Sequence, residues 1–320
     1  MRSRVVSMWN AAIVLLSCAL LLAACAGVNG DYPEQVAMGD YWDTRLSFMQ
    51  QIDVATLVDA DSGRPAALSG FVSALAARGD DLYFIDAGAG KLVHVSLAAM
   101  TARTMVALRS ATARGLYASR DGSVYVIDNY NRQVLRLDPS LGELDRYSLG
   151  HISGNPVDLT LIEGDRSFLV LDALDGRIAV LDLLGGLQQL IEPQYVDVTT
   201  VSSATAIDTS NGEIFLLDSG VDAVAGINLE GYAKGDYGGD DLQHVSAFAV
   251  DDCGRMFIAD AYDGGLYVGV ADMSLPGRRV KVPELDGKEI GDLWSDESFL
   301  YVATLADGII ALAVGPECML

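Results

Sequence analysis

Six side chains that can accept hydrogen bonds or hold a cation recur at near-equal intervals: Asp86, Asp128, Asp172, Asp218, Asp260 and Thr304, spaced 42, 44, 46, 42 and 44 residues apart. Two kinds of chemistry suit such a series. The oxygens could gather around a divalent cation, or each could accept backbone N–H groups two or three residues further on and so hold a tight turn. The residues that follow favour the turn: "DAGAG" at 86–90, "DNYNR" at 128–132, "DALDG" at 172–176, "DSGVD" at 218–222, "DAYDG" at 260–264 and "TLADG" at 304–308. Asp175-Gly176, Asp263-Gly264 and Asp307-Gly308 are strong hairpin signals, and the fourth position of each stretch is expected to tolerate positive φ. One carboxylate per repeat would also be spread around a disc rather than collected at one ion.

Each of these residues closes an apolar strand, from "DLYFID" at 81–86 through "SVYVID", "SFLVLD", "EIFLLD" and "RMFIAD" to "SFLYVAT" at 298–304. A shorter apolar segment precedes each strand, a third strand follows the turn, and most copies add a more variable fourth, such as "GLQQLIE" at 186–192. Four short strands per unit of about 44 residues form the meander of a β-propeller blade, and no helical period competes with it. The sequence therefore predicts an all-β fold, a six-bladed β-propeller over 44–318. The last copy lacks a fourth strand, and "QIDVATLVD" at 51–59 is expected to supply it, closing the ring and removing its open edges.

The amino terminus reads differently. Arg2 and Arg4 precede an apolar run from Ala11 to Leu22 and then small residues, the pattern of a secretory signal over 1–24. An uncleaved membrane helix is the alternative that the length permits. Leu22-Ala23-Ala24-Cys25 resembles the lipobox of bacterial lipoproteins. That resemblance implies acylation of Cys25, for example by palmitate, attachment to a membrane through the lipid, and a tether over 25–43. Flexible, the tether would reach about 20–25 Å. Ala26 after the cysteine favours, by the same resemblance, the periplasmic face of the outer membrane. Cys253 and Cys318 remain for one disulfide in an oxidising compartment. Propeller topology puts both on the same face in neighbouring blades.

The formal charge is −23, and −25 once residues 1–24 are removed. Such a surface repels phosphate backbones and anionic lipid head groups, so nucleic acid is excluded as a partner. No G-x-S-x-G elbow, P-loop or Cys-x-x-Cys is present.

The stretch "DGSVYVIDNYNRQVLRLDPSLG" at 121–142 resembles an NHL repeat, and the other units resemble it more loosely. Proteins of that kind include interaction scaffolds and enzymes. Metal-dependent lactonases and esterases with a similar fold hold a divalent cation, calcium by its oxygen ligands, in the channel through Glu, Asn and Asp. Their Asn-Gly motif has no counterpart here, and the nearest asparagine is Asn155. An NHL-like lyase holds zinc through histidines, whereas this chain has only His94, His151 and His244, with His94 inside a third strand.

The segments leading into the first strands converge on one mouth of the ring. They supply Arg114, Tyr117, His151, Asn155, Asp158, Asp197, Thr199, His244, Asp292 and Trp294 as candidate ligand contacts. The leading expectation is a lipid-anchored binding or assembly module that meets another envelope protein. A metal-dependent hydrolase with a cation in the channel, and a small-molecule carrier or sensor, are the alternatives.

Overall fold

The computed structural model describes residues 44–108, 115–162, 167–195, 201, 203–238, 242–273, 277–296 and 298–315. Cys25, Arg114, Asp197, Thr199 and Cys318 lie outside the described residues. The structure is a six-bladed propeller built almost wholly of strands. No helix among the described residues is long and apolar enough to cross a membrane.

Each blade is an antiparallel meander whose innermost strand borders the central channel. The inner strands are Val72–Arg78, Leu116–Ala118, Pro156–Leu161, Ala204–Ser210, Val245–Val250 and Ile290–Ser295. Hydrophobicity falls from the second strand outward, because a second strand is covered on both faces by neighbouring blades while a fourth lies at the rim. Ser167–Asp172 is buried at every position, but Leu187–Ile191, the fourth strand of the same blade, buries only Ile191.

The ring closes one strand earlier than the sequence predicts. Arg45–Ile52 pairs antiparallel with Gly308–Gly315 as the outer strand of blade six. Residues 54–56 form a 3-10 turn, and Val58–Asp59 pairs in parallel with Thr101–Ala102 at the outer edge of blade one. The expected segment 51–59 therefore bridges two blades instead of completing one. Its apolar Ile52 and Val54, both fully buried, are anchors at the seam. The true closing strand is inconspicuous because it is mostly exposed. Gly308 is required at the seam: its φ is +83°, and a Cβ there would meet the carbonyl oxygen of Ile52 at 2.2 Å.

The turn aspartates act as read from the sequence, and they also reach backwards. Asp172 accepts the Leu174 amide within its own turn at 2.7 Å. It also accepts the amides of Gly154 at 2.6 Å and Asn155 at 3.2 Å, and the Ser153 hydroxyl at 2.9 Å, from the loop leading into the inner strand. Asp86 and Asp260 do the same with Ser69 and Gly70, and with Gln243 and His244. Asp218 accepts the Tyr195 hydroxyl. Asp128 holds Asn131 and Gln133, and the Thr304 hydroxyl accepts the Asp307 amide and donates to the Gly308 carbonyl. In blades one, three, four and five one carboxylate thus ties two loops on one face of the ring.

Positive φ falls on the fifth residue of each turn, not the fourth as expected. These residues are Gly90, Arg132, Gly176, Asp222, Gly264 and Gly308, with φ between 49° and 83°. The turn accommodates one more residue before the third strand because the aspartate caps the amide two or three positions on, leaving the reversal to the last position. Arg132 and Asp222 occupy this left-handed conformation without being glycine. Arg132→Gly should therefore raise stability by about 0.5–1 kcal/mol in urea unfolding. Gly264→Val should lower it by about 1–2 kcal/mol through backbone strain, since nothing lies within 4 Å of a Cβ at Gly264.

Candidate functional site

The inner strands enclose a cavity of about 230 Å³ along the channel. Local irregularity positions its walls. In five of the inner strands one extra residue is inserted near the start, between Val72 and Ala74, Pro156 and Asp158, Ala204 and Ala206, Val245 and Ala247, and Ile290 and Asp292. The residue after the bulge is turned toward the channel in blades three, four and six, as Asp158, Ala206 and Asp292. Two positions further on stand Tyr117, Thr160, Asp208 and Trp294. Gly115 brings blades two and three together, since a Cβ there would run into the Ile127 side chain and the Asp158 backbone.

The wall is divided by chemistry. Blades two and six contribute Tyr117 and Trp294, the indole tilted against Tyr301 at 5.9 Å, and blade six also brings Asp292. Blades three and four contribute carboxylates and hydroxyls: Asp158, Thr160, Asp208 and Thr209, the two threonine hydroxyls 3.4 Å apart.

Every inner strand has one edge without a strand beside it, and the channel carboxylates serve that edge. Asp158 accepts the Ile207 amide from blade four at 2.8 Å and the Leu159 amide at 2.9 Å. Asp208 accepts the Val250 amide from blade five and the Thr209 amide, both at 2.8 Å. Asp292 accepts the Leu75 amide across the seam from blade six to blade one at 2.9 Å. Among the described residues neither Asp158 nor Asp208 forms an ion pair. Burial pushes the carboxyl of Asp158 up to about 8 and that of Asp208 up to about 7, although their N–H donors pull the other way. Neighbouring carboxylates add to the rise: Asp292 and Asp208 act on Asp158, and Asp252 on Asp208. Burial also raises the Tyr117 hydroxyl, which stays protonated.

At the bottom mouth, where the inner strands end, Arg120 of blade two donates to Asp252 of blade five at 2.8 Å. In a six-membered ring these blades are opposite, so the pair spans the opening. Both side chains remain accessible to solvent, and such pairs are worth about 0–1 kcal/mol. Arg78 and Asp296 line the same mouth.

Of the residues expected at the top mouth, where the inner strands begin, Tyr117, Asp158, Asp292 and Trp294 line the channel. His151 and His244 are exposed in the loops above it. Asn155 accepts a hydrogen bond from the Asn129 amide at 3.2 Å and belongs to the loop framework. His94 is buried in blade one, stacked on Tyr83 at 4.7 Å and bonded to Asp81 at 2.7 Å. Asp208, Thr160, Arg120 and Asp252 were not among the expected residues. Aligning the inner strands by their bulges would have found the first two, because they share a column with Tyr117 and Trp294. Among the described residues no three His, Cys, Asp or Glu side chains form a group that could hold a metal ion. Cys253 is disulfide-bonded, in the turn after the inner strand of blade five, where its amide donates to the buried Asp251. Asp251 also pairs with Arg255 at 2.5 Å.

No family model matches the chain, and no curated protein does. The backbone is similar to that of a catalytically inactive virginiamycin B lyase from Staphylococcus aureus, solved with quinupristin. That match has a TM-score of 0.59 and 11% identity, over 84% of this chain and 98% of the other. BamB from Moraxella catarrhalis matches with a TM-score of 0.49 and 17% identity, over 80% of this chain and 86% of the other. At such low identity the likeness to the lyase extends to the propeller fold alone.

The buried carboxyls give stability a definite dependence on pH. In the unfolded chain they release protons near the ordinary value of 3.8, whereas folded they hold them up to about 7 and 8. Folding then binds protons, so this contribution is full below about pH 4 and is lost progressively as the pH rises to about 8. Asp128 and Asp175, whose carboxyls are held low by hydrogen bonds, act oppositely and weaken the fold only in strong acid. Thermal unfolding should show greater stability near pH 5 than near pH 8, and Asp208→Asn should flatten that slope.

Proposed function

We propose that the chain is an extracytoplasmic, lipid-anchored propeller with NHL-like blades that binds another protein of the cell envelope through its top face. One observation carries this reading: the turns after the second strands of four consecutive blades project large apolar side chains into solvent. Tyr130, Leu174 and Tyr262 are 71–72% exposed and Val221 is 51% exposed. Each turn is fixed from beneath by its aspartate, so the side chains are presented on a rigid frame. Exposed tyrosine supplies the rigid, largely apolar contacts enriched at the energetic centres of protein interfaces, and Leu174 and Val221 add apolar surface on the same face.

The attachment of the chain fits this reading. Arg45 pairs with Gly315, where the third strand of blade six ends, so the polypeptide joins the propeller on the bottom face. A tether from an acylated Cys25 therefore leaves the top face clear of its own attachment point. The disulfide at Cys253 lies on the same bottom face, and we take Cys318, a few residues beyond Gly315, as its partner.

Three measurements test the proposal. Mass analysis of the mature protein should find an acylated amino-terminal Cys25 and, without reductant, a peptide linking Cys253 to Cys318. Cys25→Ser should release the protein from membranes.

Photo-crosslinking amino acids placed at Tyr130, Leu174 and Tyr262 should each give the same discrete protein adduct in cells. Positions Leu184 and Tyr232, exposed on the outer bottom rim, serve as comparators. Adducts from the rim alone, or from none of these sites, would overturn the assignment.

A further inference from the structure

We propose that the central channel binds a small organic cation: a primary ammonium group carried on an aromatic or similarly flat apolar body. This inference goes beyond the proposed docking role and does not depend on it.

The cavity meets the two ends of such a molecule with different walls. Tyr117 and Trp294 offer flat apolar surface from blades two and six, while Asp158, Thr160, Asp208 and Thr209 offer acceptors from blades three and four. Small residues on neighbouring strands keep the space open, among them Ala118 and Ala206. A volume of about 230 Å³ admits one ring and a short side chain.

The decisive feature is that, among the described residues, no countercharge meets the carboxyls of Asp158 and Asp208. A buried carboxylate normally meets arginine or lysine, because an isolated buried charge is costly. Asp158 is 9% exposed, and both it and Asp208 meet only backbone amides and threonine hydroxyls. Each amide engages one lone pair of its carboxylate oxygen, so acceptor capacity is left over toward the cavity. Among the described residues the arginines of the channel lie at the bottom mouth instead: Arg120 is engaged by Asp252, and Arg78 is exposed at the rim. An ammonium ion seated between Asp158 and Asp208 would draw the protons off the two carboxyls and become the countercharge that no described residue supplies. Its apolar body would lie against the indole of Trp294, where cation–π attraction adds to burial.

Phenethylamine and its neutral counterpart 2-phenylethanol distinguish this from a cavity that is merely greasy. Titrated calorimetrically into the full-length protein at neutral pH, phenethylamine should saturate one site and bind at least tenfold more tightly than the alcohol. Asp208→Asn, which retains an acceptor for the Val250 amide, should weaken the amine by about tenfold and leave the alcohol unchanged, as expected for one charge-assisted hydrogen bond. Trp294→Leu should weaken both compounds. The comparison of amine with alcohol uses the unaltered protein, so it stands even if a variant fails to fold. Equal affinity for the two compounds, or no saturation by the amine up to about 5 mM, would overturn the proposal.

Discussion

A propeller places one edge of every blade against a central hole, and those edges must be satisfied without closing the hole. Sheets usually solve the edge problem by adding a strand or by covering it. Here part of the solution is a carboxylate from the preceding blade, laid against the exposed amides of the next inner strand. Asp158, Asp208 and Asp292 tie blade three to four, four to five, and six to one. Asp158 and Asp292 directly follow a bulge, and Asp208 stands two residues beyond one, so the bulges set the register that aims all three. Such a contact joins two sheets and leaves an oxygen-rich wall, so the interaction that holds the ring together also decides what the channel is made of.

The turn aspartates solve the corresponding problem on the top face. A loop crossing from the rim of one blade to the centre of the next has no ladder to pair with, and its amides would otherwise face solvent or each other. Asp86, Asp172 and Asp260 gather those amides into the turn already present. Rigidity at the top face follows directly. Of the apolar side chains there, Leu174 and Tyr262 stand on turns tied to the incoming loop, and Tyr130 stands on a turn that Asp128 braces from within.

Much of this was legible in the sequence because the same physical demand is made six times. The interval between turn aspartates revealed the period, and the solid apolar runs before them revealed the second strands, which are buried on both faces. The rim was harder to read. Fourth strands such as Arg45–Ile52 and Leu187–Ile191 are largely exposed, so their composition is constrained little by packing, and the closing strand was placed several residues too late. The channel was legible only in part. Asp158, Asp292, Tyr117 and Trp294 stood out by type, but Asp208 reads as an ordinary strand residue until the bulges set the register, and Arg120 and Asp252 acquire meaning only through a closure that no linear pattern displays.

The hydrogen bond between Arg120 and Asp252 crosses the ring instead of following it. A closed circle of blades resists being pulled apart at any seam, yet it can still ovalise, since neighbouring blades can tilt together without separating. A chord between opposite members removes that freedom along one diameter, as a single wire stiffens a hoop. Because the wire is thin and wet, salt alone would slacken it, and the bore would then breathe along the axis that joins blades two and five.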